Sequence, residues 1–324
     1  MADADETACA RPKSELIAEV RKQGTAMTWE QLAEFSAPYK PDGVNGPCNS
    51  ISCLRLFGRP EEEARVVLYR DTHAWCPYCQ KVWLWLEEKK IPYVVRKVSM
   101  SCYSEKEKWY TEKVPSGMLP AIEIDGDVVV DSDDVIVRLE AEFGALHTPF
   151  ADPAVLQLRK LERQTFSAWC RWLCYPAVDE EDEEDNEEDF EKVMDKVEAL
   201  LGVHEDGPYF FGTFSVADVV FTPYFERISA SLVCYKGYLL RLPEQRPRIC
   251  AWFEAMEARP TYRGMQSDFV THIGNLPPQM GGCFESKAPG LPQRFFGGAE
   301  ADCFPTPRAL RACAPSCAPR GAVP

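Results

Sequence analysis

Histidine is scarce in this sequence: four residues in a chain of 324, all widely spaced. A Cys2His2 zinc site and a Ser-His-Asp triad both need histidine in a sequence framework that this spacing does not provide. Only one pair of cysteines is separated by two residues, so the second Cys-x-x-Cys pair of a structural zinc site is missing as well. We therefore predict neither a metal site nor a histidine-based triad.

Long apolar runs and basic clusters are also missing from the sequence. No stretch approaches the about 20 apolar residues of a membrane-spanning helix, and no group of Lys and Arg is interleaved with aromatic residues as in a nucleic-acid-binding surface. The first residues, 1–6, are acidic rather than apolar or Arg-rich, so no targeting peptide is predicted. We expect a soluble, cytoplasmic protein with no membrane span and no nucleic-acid partner, and a plastid location stays open.

The net charge of −15 comes largely from one segment, because ten of the 51 acidic residues lie at 179–189. A run of like charges repels itself and stays solvated. We therefore predict a surface insertion between helices at this point, and we do not assign the charge to the function of the whole chain.

The 14 cysteines would suggest disulfides in a small secreted domain, but this chain is long and carries no signal peptide. A reducing compartment is expected instead, with most of the thiols buried as small apolar groups. Cys170 and Cys174 illustrate this interpretation, since they are four residues apart on a predicted helix and share its apolar face with Phe166. We assign them to core packing.

Hydrophobic patterning divides the chain into four parts. Residues 1–63 are interpreted as an N-terminal extension. Residues 64–145 alternate strand and helix signals in the order β-α-β-α-β-β-α, which indicates an α/β domain. Residues 153–270 carry helical patterns only and predict an all-α domain, which contains the acidic insertion. Residues 271–324 are rich in Pro and Gly without periodicity, so a disordered tail is predicted there.

Two short motifs support the assignment of elements inside these domains. Asp125-Gly126, between two apolar segments, is a turn signal typical of a β-hairpin. Ser215 and Asp218 have the spacing of a capping box at the start of an almost wholly apolar helix. We assign both motifs to folding rather than to chemistry.

The chemistry of the sequence concentrates in the segment Trp75-Cys76-Pro77-Tyr78-Cys79, directly after a short apolar strand. Pro77 suits the first position of a helix, so Cys76 would face the unsatisfied N–H groups and the positive end of the helix dipole. Both favour the thiolate, which is the form that attacks disulfides and electrophiles. Cys79, one turn later, can donate a hydrogen bond or act as a resolving thiol. We predict that Cys76 is the catalytic nucleophile, with Cys79 as its partner.

From about residue 64 to 270 the chain resembles the glutathione transferase superfamily, particularly its cysteine-type omega and lambda-like members. The resemblance implies a thioredoxin-like domain followed by an all-α domain, with glutathione as co-substrate. It also implies a glutathione site. In that site Leu119-Pro120 matches the family's pair of a residue and a cis-proline, and the residue before the proline offers its backbone to the cysteine of glutathione. Asp131-Ser132 matches the acidic-Ser pair that binds the γ-glutamyl end, and Lys106 matches the lysine that helps to bind the glycine carboxylate.

Two departures from the family pattern keep the mechanism open. Omega members usually lack the second cysteine, whereas Cys-Pro-Tyr-Cys is the glutaredoxin pattern, so a monothiol and a dithiol mechanism both stay open. The family's acidic residue is usually Glu, and Asp131 is one methylene shorter.

The resemblance implies a glutathione-dependent thioltransferase or oxidoreductase that removes glutathione from mixed disulfides, with dehydroascorbate as a further substrate. Its expected partners are glutathione, small disulfides or electrophiles, and glutathionylated proteins. The protein itself would be a monomer or a homodimer. The alternatives are a transferase that conjugates electrophiles, a non-enzymatic relative of the intracellular chloride channels, and an iron-sulfur scaffold.

Overall fold

The computed structural model describes residues 42–286 together with Lys22 and Thr28. The chain divides into two compact units, Met1–Asp42 and Gly43–Pro324. Most of the first unit lies outside the described residues, and so does the part of the predicted tail at 287–324. All elements named below belong to the second unit.

The first half of this unit is built on a five-stranded sheet with the strand order β1-β3-β2-β4-β5. Strands β2 and β3 are parallel, and the other neighbours are antiparallel. The hairpin of β4 and β5 turns at Asp125 and Gly126, whose φ angles of 53° and 94° match the turn that the sequence predicts. The strands are β1 Leu54–Arg55, β2 Val66–Asp71, β3 Tyr93–Val98, β4 Ala121–Ile124 and β5 Asp127–Val130.

The sheet includes residues that the sequence analysis assigns to the N-terminal extension. Strand β1 pairs with β3 although it lies before residue 64. The guanidinium of Arg55 is 1% exposed and donates to the carboxylate of Glu87, with Nε and Oε1 2.7 Å apart. A buried ion pair of this kind ties residues 43–63 to the domain. The boundary at 63 therefore lies inside the folded body.

Helices flank the sheet and then form the rest of the described chain. The helices of the first half are α1 Pro77–Lys89, α2 Lys108–Lys113 and α3 Ser132–Phe143. The helices of the second half are α4 Pro153–Cys174, α5 Glu180–Leu201, α6 Val216–Lys236, α7 Pro247–Glu257, α8 Pro260–Arg263 and α9 Phe269–Met280. This is the α/β domain followed by an all-α domain that the sequence predicts.

Helix α6 runs through the centre of the second half and is buried along most of its length. Both bonds of its capping box are present, since the Ser215 side chain accepts from the first turn and Asp218 accepts the Ser215 N–H at 2.9 Å. Across residues 42–286 no helix combines the length and apolar character needed to cross a membrane.

The acidic segment 179–189 is helical and not the solvated loop that the charge pattern predicts. Asp179 caps helix α5 by accepting the N–H of Asp182 at 2.9 Å, and carboxylates in a first turn are favoured by the helix dipole. Glu183 is 9% exposed and pairs with Lys236 at 2.9 Å. The segment therefore contributes one face to the core, which the charge count alone could not reveal.

The predicted tail is also ordered in its first part. Helix α9 spans Phe269–Met280, and Leu276 on that helix is 1% exposed. Pro277 and Pro278 lie inside the helix, so the proline content that suggested disorder is compatible with helix here. The prediction of a tail from residue 271 is therefore wrong up to residue 286.

Candidate active site

Cys76 is the N-cap residue of helix α1, with Pro77 at the first helical position. Its sulfur accepts the backbone N–H of Cys79 across 3.5 Å. The pKa of the Cys76 thiol is lowered chiefly because the Cys79 thiol donates a hydrogen bond to it, and backbone N–H groups of the first turn add to the effect. The side chain is 5% exposed. Helix geometry therefore favours a thiolate at this position.

The pKa of Cys79 is shifted in the opposite direction from that of Cys76. It is 2% exposed and belongs to the buried face of helix α1. Burial, together with the hydrogen bond that it gives to Cys76, raises the pKa of the Cys79 thiol well above its usual value. Of the two thiols, Cys76 is therefore the one that ionises, and Cys79 acts first as its hydrogen-bond donor.

Asp71, the last residue of β2, is a third ionisable group at this site that sequence reasoning missed. It is 0% exposed, and its Oδ2 accepts the N–H of Trp75 at 2.7 Å while its Oδ1 has no hydrogen-bond partner. One of its oxygens lies within 4.8 Å of both cysteine sulfurs, and within the described part of the chain this is the one group that could hold a metal ion. The only sequence signal is an acidic residue at the end of an apolar strand.

The charge of Asp71 opposes thiolate formation at both cysteines and raises their pKa values. At Cys76 the hydrogen bonds outweigh both burial and this charge, since the net direction of the pKa shift there is downward. At Cys76, burial and one buried carboxylate therefore act against the Cys79 thiol and the N–H donors of the helix N-terminus.

Helix α6 supports the loop that carries Cys76. Arg227 is 1% exposed and donates to the carbonyl of Trp75 and to Oε1 of Gln80, each at 2.8 Å. Gln80 in turn donates to Glu226 at 2.7 Å. Arg227, Gln80 and Glu226 are all buried, so this hydrogen-bond network joins the loop to helix α6. The sequence contains no local signal for this network.

Aromatic rings line the site on its outer side. Trp75 stacks on His73 with ring centroids 4.5 Å apart and meets Tyr103 edge-on at 5.5 Å. The Tyr103 hydroxyl donates to the carbonyl of Asn275 at 2.9 Å and accepts from Gln279 at 3.1 Å. Helix α9 is therefore linked through Tyr103 to Trp75, the residue before Cys76.

Strand register brings the other predicted residues to the same edge of the sheet. Tyr69 pairs with Ala121, so the cis peptide bond between Leu119 and Pro120 lies beside the end of β2 that leads to Cys76. Ala121 also pairs with Val130 on the next strand. Asp131-Ser132 therefore follows directly at that edge.

The acidic-Ser pair opens helix α3. Asp131 is its exposed N-cap residue, with φ of 77°, and accepts the N–H of Asp133 at 2.9 Å. Ser132 is the first helical residue and is 4% exposed. The helix N-terminus can bind an anion at this position.

Lys106 follows the end of β3, at the same edge of the sheet. Its Nζ donates to the carbonyl of Ser99 at 2.8 Å, so the ammonium is held by the main chain. An open cavity of about 470 Å³ adjoins it, lined also by Ser101, Ser104, Ser116 and Gly117.

Two segments of the chain match models of known protein families. The family model described as glutathione S-transferase, N-terminal domain, matches residues 75–142. The model described as glutathione S-transferase, C-terminal domain, matches residues 177–255.

Individual relatives agree with this assignment. The chain is 25% identical over 208 residues to glutathione S-transferase DHAR3, chloroplastic, of Arabidopsis thaliana, which covers 64% of this chain and 75% of the relative. Glutathione transferase Omega 3C of Trametes versicolor is similar in structure, with a TM-score of 0.53 and 29% identity over 63% of this chain and 90% of that one. Dehydroascorbate reductase of Chlamydomonas reinhardtii shares the fold, with a TM-score of 0.54 and 21% identity. The similarity covers 65% of this chain and 96% of the reductase.

Cys76 at a helix N-terminus and the cis peptide bond before Pro120 thus both lie in the segment that matches the N-terminal domain model. Residues 75–142 and 177–255 of this protein therefore correspond to the N-terminal and C-terminal domains of glutathione S-transferases.

Proposed function

We propose that this protein is a glutathione-dependent thioltransferase in which Cys76 exchanges glutathione through a mixed disulfide. The observation that carries the proposal is the position of Cys76 as the N-cap of helix α1, with the Cys79 thiol donating to it and lowering its pKa. A family member that conjugates glutathione needs only to activate the thiol of glutathione. A nucleophilic cysteine of the protein at this point favours covalent thiol exchange instead.

The reaction runs in two exchanges that regenerate the thiolate. The Cys76 thiolate attacks the glutathione sulfur of a mixed disulfide, forms a Cys76-glutathione disulfide and releases the substrate as a thiolate. A second glutathione, as thiolate, then attacks the glutathione sulfur on Cys76 and leaves as glutathione disulfide. Its proton goes to the released substrate, so the net result is one substrate thiol and one glutathione disulfide.

Glutathione would bind along the sheet edge that carries the cis-proline. The Leu119 main chain would pair with its cysteine residue, and Pro120 would shape that contact. Asp131 and Ser132 would hold the γ-glutamyl end, where the α3 N-terminus favours a carboxylate. Lys106 would have to exchange its bond to the Ser99 carbonyl for the glycine carboxylate.

Burial of Cys79 supports the monothiol route. Burial raises the pKa of the Cys79 thiol, which makes it a poor nucleophile, whereas a bound second glutathione would present its thiol to the mixed disulfide. Glutathionylated proteins and small disulfides are the proposed substrates. Dehydroascorbate is a further candidate substrate, because the Chlamydomonas reinhardtii protein of the same fold is a dehydroascorbate reductase.

The test compares two reactions of the full-length protein. Reduction of a small glutathione mixed disulfide is measured beside conjugation of glutathione to an aromatic halide. We expect measurable thiol exchange, and its loss by at least about a hundredfold in Cys76→Ser, because serine is a far weaker nucleophile than a thiolate. Cys250→Ser, at a half-buried cysteine of α7, is the matched control and should keep wild-type turnover.

Other outcomes identify the alternatives. Conjugation without thiol exchange, or exchange that survives in Cys76→Ser, would reject the proposal. A visible charge-transfer absorbance of the purified protein would indicate an iron-sulfur scaffold, and spontaneous insertion into liposomes would indicate a channel-like relative.

A further inference from the structure

A second group of cysteines lies away from the candidate active site, at the end of helix α4. Cys170 and Cys174 occupy the last two turns of that helix, where the sequence analysis assigns them to core packing. The structure adds Cys283, which follows helix α9 and is 7% exposed. Cys170 and Cys174 are each half-buried, so solvent reaches the group from the α4 side.

Two backbone hydrogen bonds seat the segment after α9 on the ends of helices α4 and α6. The N–H of Phe284 donates to the carbonyl of Leu173 at 2.8 Å, and the N–H of Ser286 donates to the carbonyl of Tyr235 at 2.9 Å. The first bond joins the residue after Cys283 to the residue before Cys174. The two cysteines are therefore held next to each other by the main chain.

The thiols of this group shift one another's pKa values. Cys170 and Cys283 both donate hydrogen bonds to the sulfur of Cys174, and these bonds lower the pKa of the Cys174 thiol, with a smaller contribution from the charge of Lys236. The same bonds raise the pKa of the two donors. This is the arrangement of an attacking thiolate with neighbouring resolving thiols, and it does not involve Cys76.

Helix geometry decides which neighbour can form a bond to Cys174. Side chains four residues apart on a helix have Cβ atoms about 5–6 Å apart. A disulfide needs about 3.5–4.5 Å between its Cβ atoms, so a link between Cys170 and Cys174 would have to unwind the last turn. Cys283 lies on a separate, non-helical segment, so this restriction does not apply to a link between Cys174 and Cys283.

We propose that Cys174 and Cys283 form a redox site distinct from Cys76, at which glutathione disulfide oxidises the two thiols to one disulfide. The Cys174 thiolate attacks one sulfur of glutathione disulfide, forms a Cys174-glutathione disulfide and releases one glutathione. Cys283 then attacks the Cys174 sulfur and releases the second glutathione. Two thiols lose two electrons and two protons, and one glutathione disulfide becomes two glutathione molecules.

The disulfide would bind the C-terminal end of helix α9 covalently to helix α4. Helix α9 also contacts Tyr103, which packs on Trp75 beside Cys76. Oxidation at this second site would therefore restrain the helix that contacts Tyr103, without any change to Cys76 itself.

Peptide mapping of the full-length chain tests the proposal. The Cys76→Ser protein is incubated with glutathione disulfide, alkylated and digested without reduction, so that exchange at the active-site nucleophile cannot contribute. We expect one cross-linked species that joins the Cys174 peptide to the Cys283 peptide. A stable Cys174-glutathione adduct alone, a link within helix α4, a link from Cys174 to a cysteine beyond residue 286, or no modification of Cys174 would each overturn it.

Variants separate attack from resolution. In Cys283→Ser the Cys174-glutathione adduct should accumulate, and in Cys174→Ser neither the adduct nor the link should form at Cys283. Cys250→Ser should give the parental yield of the cross-link. Because the decisive link is mapped with both cysteines in place, misfolding of a variant cannot decide the result, and failure here leaves the thiol exchange of Cys76 unaffected.

Discussion

The thiol of Cys79 donates its hydrogen bond to the sulfur of Cys76, one helical turn earlier in the chain. This bond helps to hold the charge on Cys76 and at the same time keeps the proton on Cys79. The pKa values of the two thiols are therefore shifted in opposite directions, although the motif Cys-Pro-Tyr-Cys alone does not show which cysteine is the thiolate.

Replacing Cys79 by serine should leave most of the thiol exchange intact. Serine keeps a hydroxyl donor for the Cys76 thiolate and removes only a buried thiol, so we expect at least about half of the wild-type turnover with a glutathionylated peptide. Steady-state turnover of the two proteins measures this directly. A loss as deep as that of Cys76→Ser, with a protein-glutathione adduct in the mass spectrum, would establish the dithiol route.

Replacing Asp71 by asparagine should extend activity towards lower pH. The carboxylate of Asp71 raises the pKa of Cys76, so its removal lowers that pKa further and keeps the thiolate at pH values where the wild type is protonated. Asparagine retains an oxygen for the Trp75 N–H. The acidic limb of the pH profile of kcat/KM should move to lower pH, and Asp127→Asn on the exposed strand β5 should not move it. An unchanged limb, or one displaced to higher pH, would contradict this account of Asp71.

Removing the charge of Glu87 tests whether residues before 64 belong to the folded domain. Glu87→Gln leaves the buried guanidinium of Arg55 without its counter-charge, and we expect a loss of about 3–5 kcal/mol of unfolding free energy. Glu142→Gln, which removes a more exposed partner of Arg65, should cost less than about 1 kcal/mol. Urea denaturation measures both, and equal costs would mean that the β1 segment adds little to stability.

Two truncations test the ordered part of the predicted tail. A chain that ends at residue 273 loses the buried Leu276 and the contacts of helix α9 with Tyr103, whereas a chain that ends at 286 keeps them. We expect the shorter chain to be less stable by at least about 2 kcal/mol, from the apolar burial alone, and less active in thiol exchange. Thermal unfolding and turnover of the two truncated proteins measure the difference. Equal stability and equal turnover would mean that residues 274–286 are not part of the folded domain.

Local chemistry determined the parts of this protein that the sequence predicts well. The capping box of Ser215 and Asp218, the turn at Asp125 and Gly126, and the place of Cys76 at a helix start all depend on residues within three or four positions of one another. Interactions over that range act in any tertiary context, so a single sequence carries them. The α/β domain followed by an all-α domain follows in the same way from the periodicity of its segments.

Tertiary structure alone decided the rest, because it depends on which distant segments meet. Strand β1 is too short to have a pattern, and only its partner β3 makes it a strand. In the sequence Glu183 is one of ten clustered acidic residues, and only the folded chain buries it in an ion pair with Lys236. Asp71 acquires its effect only where the end of β2 lies against the start of α1, and Cys174 acquires a partner only where the chain after α9 returns to helix α4. In each case a burial or a charge contact between separated residues sets the chemistry, and no local pattern encodes that contact.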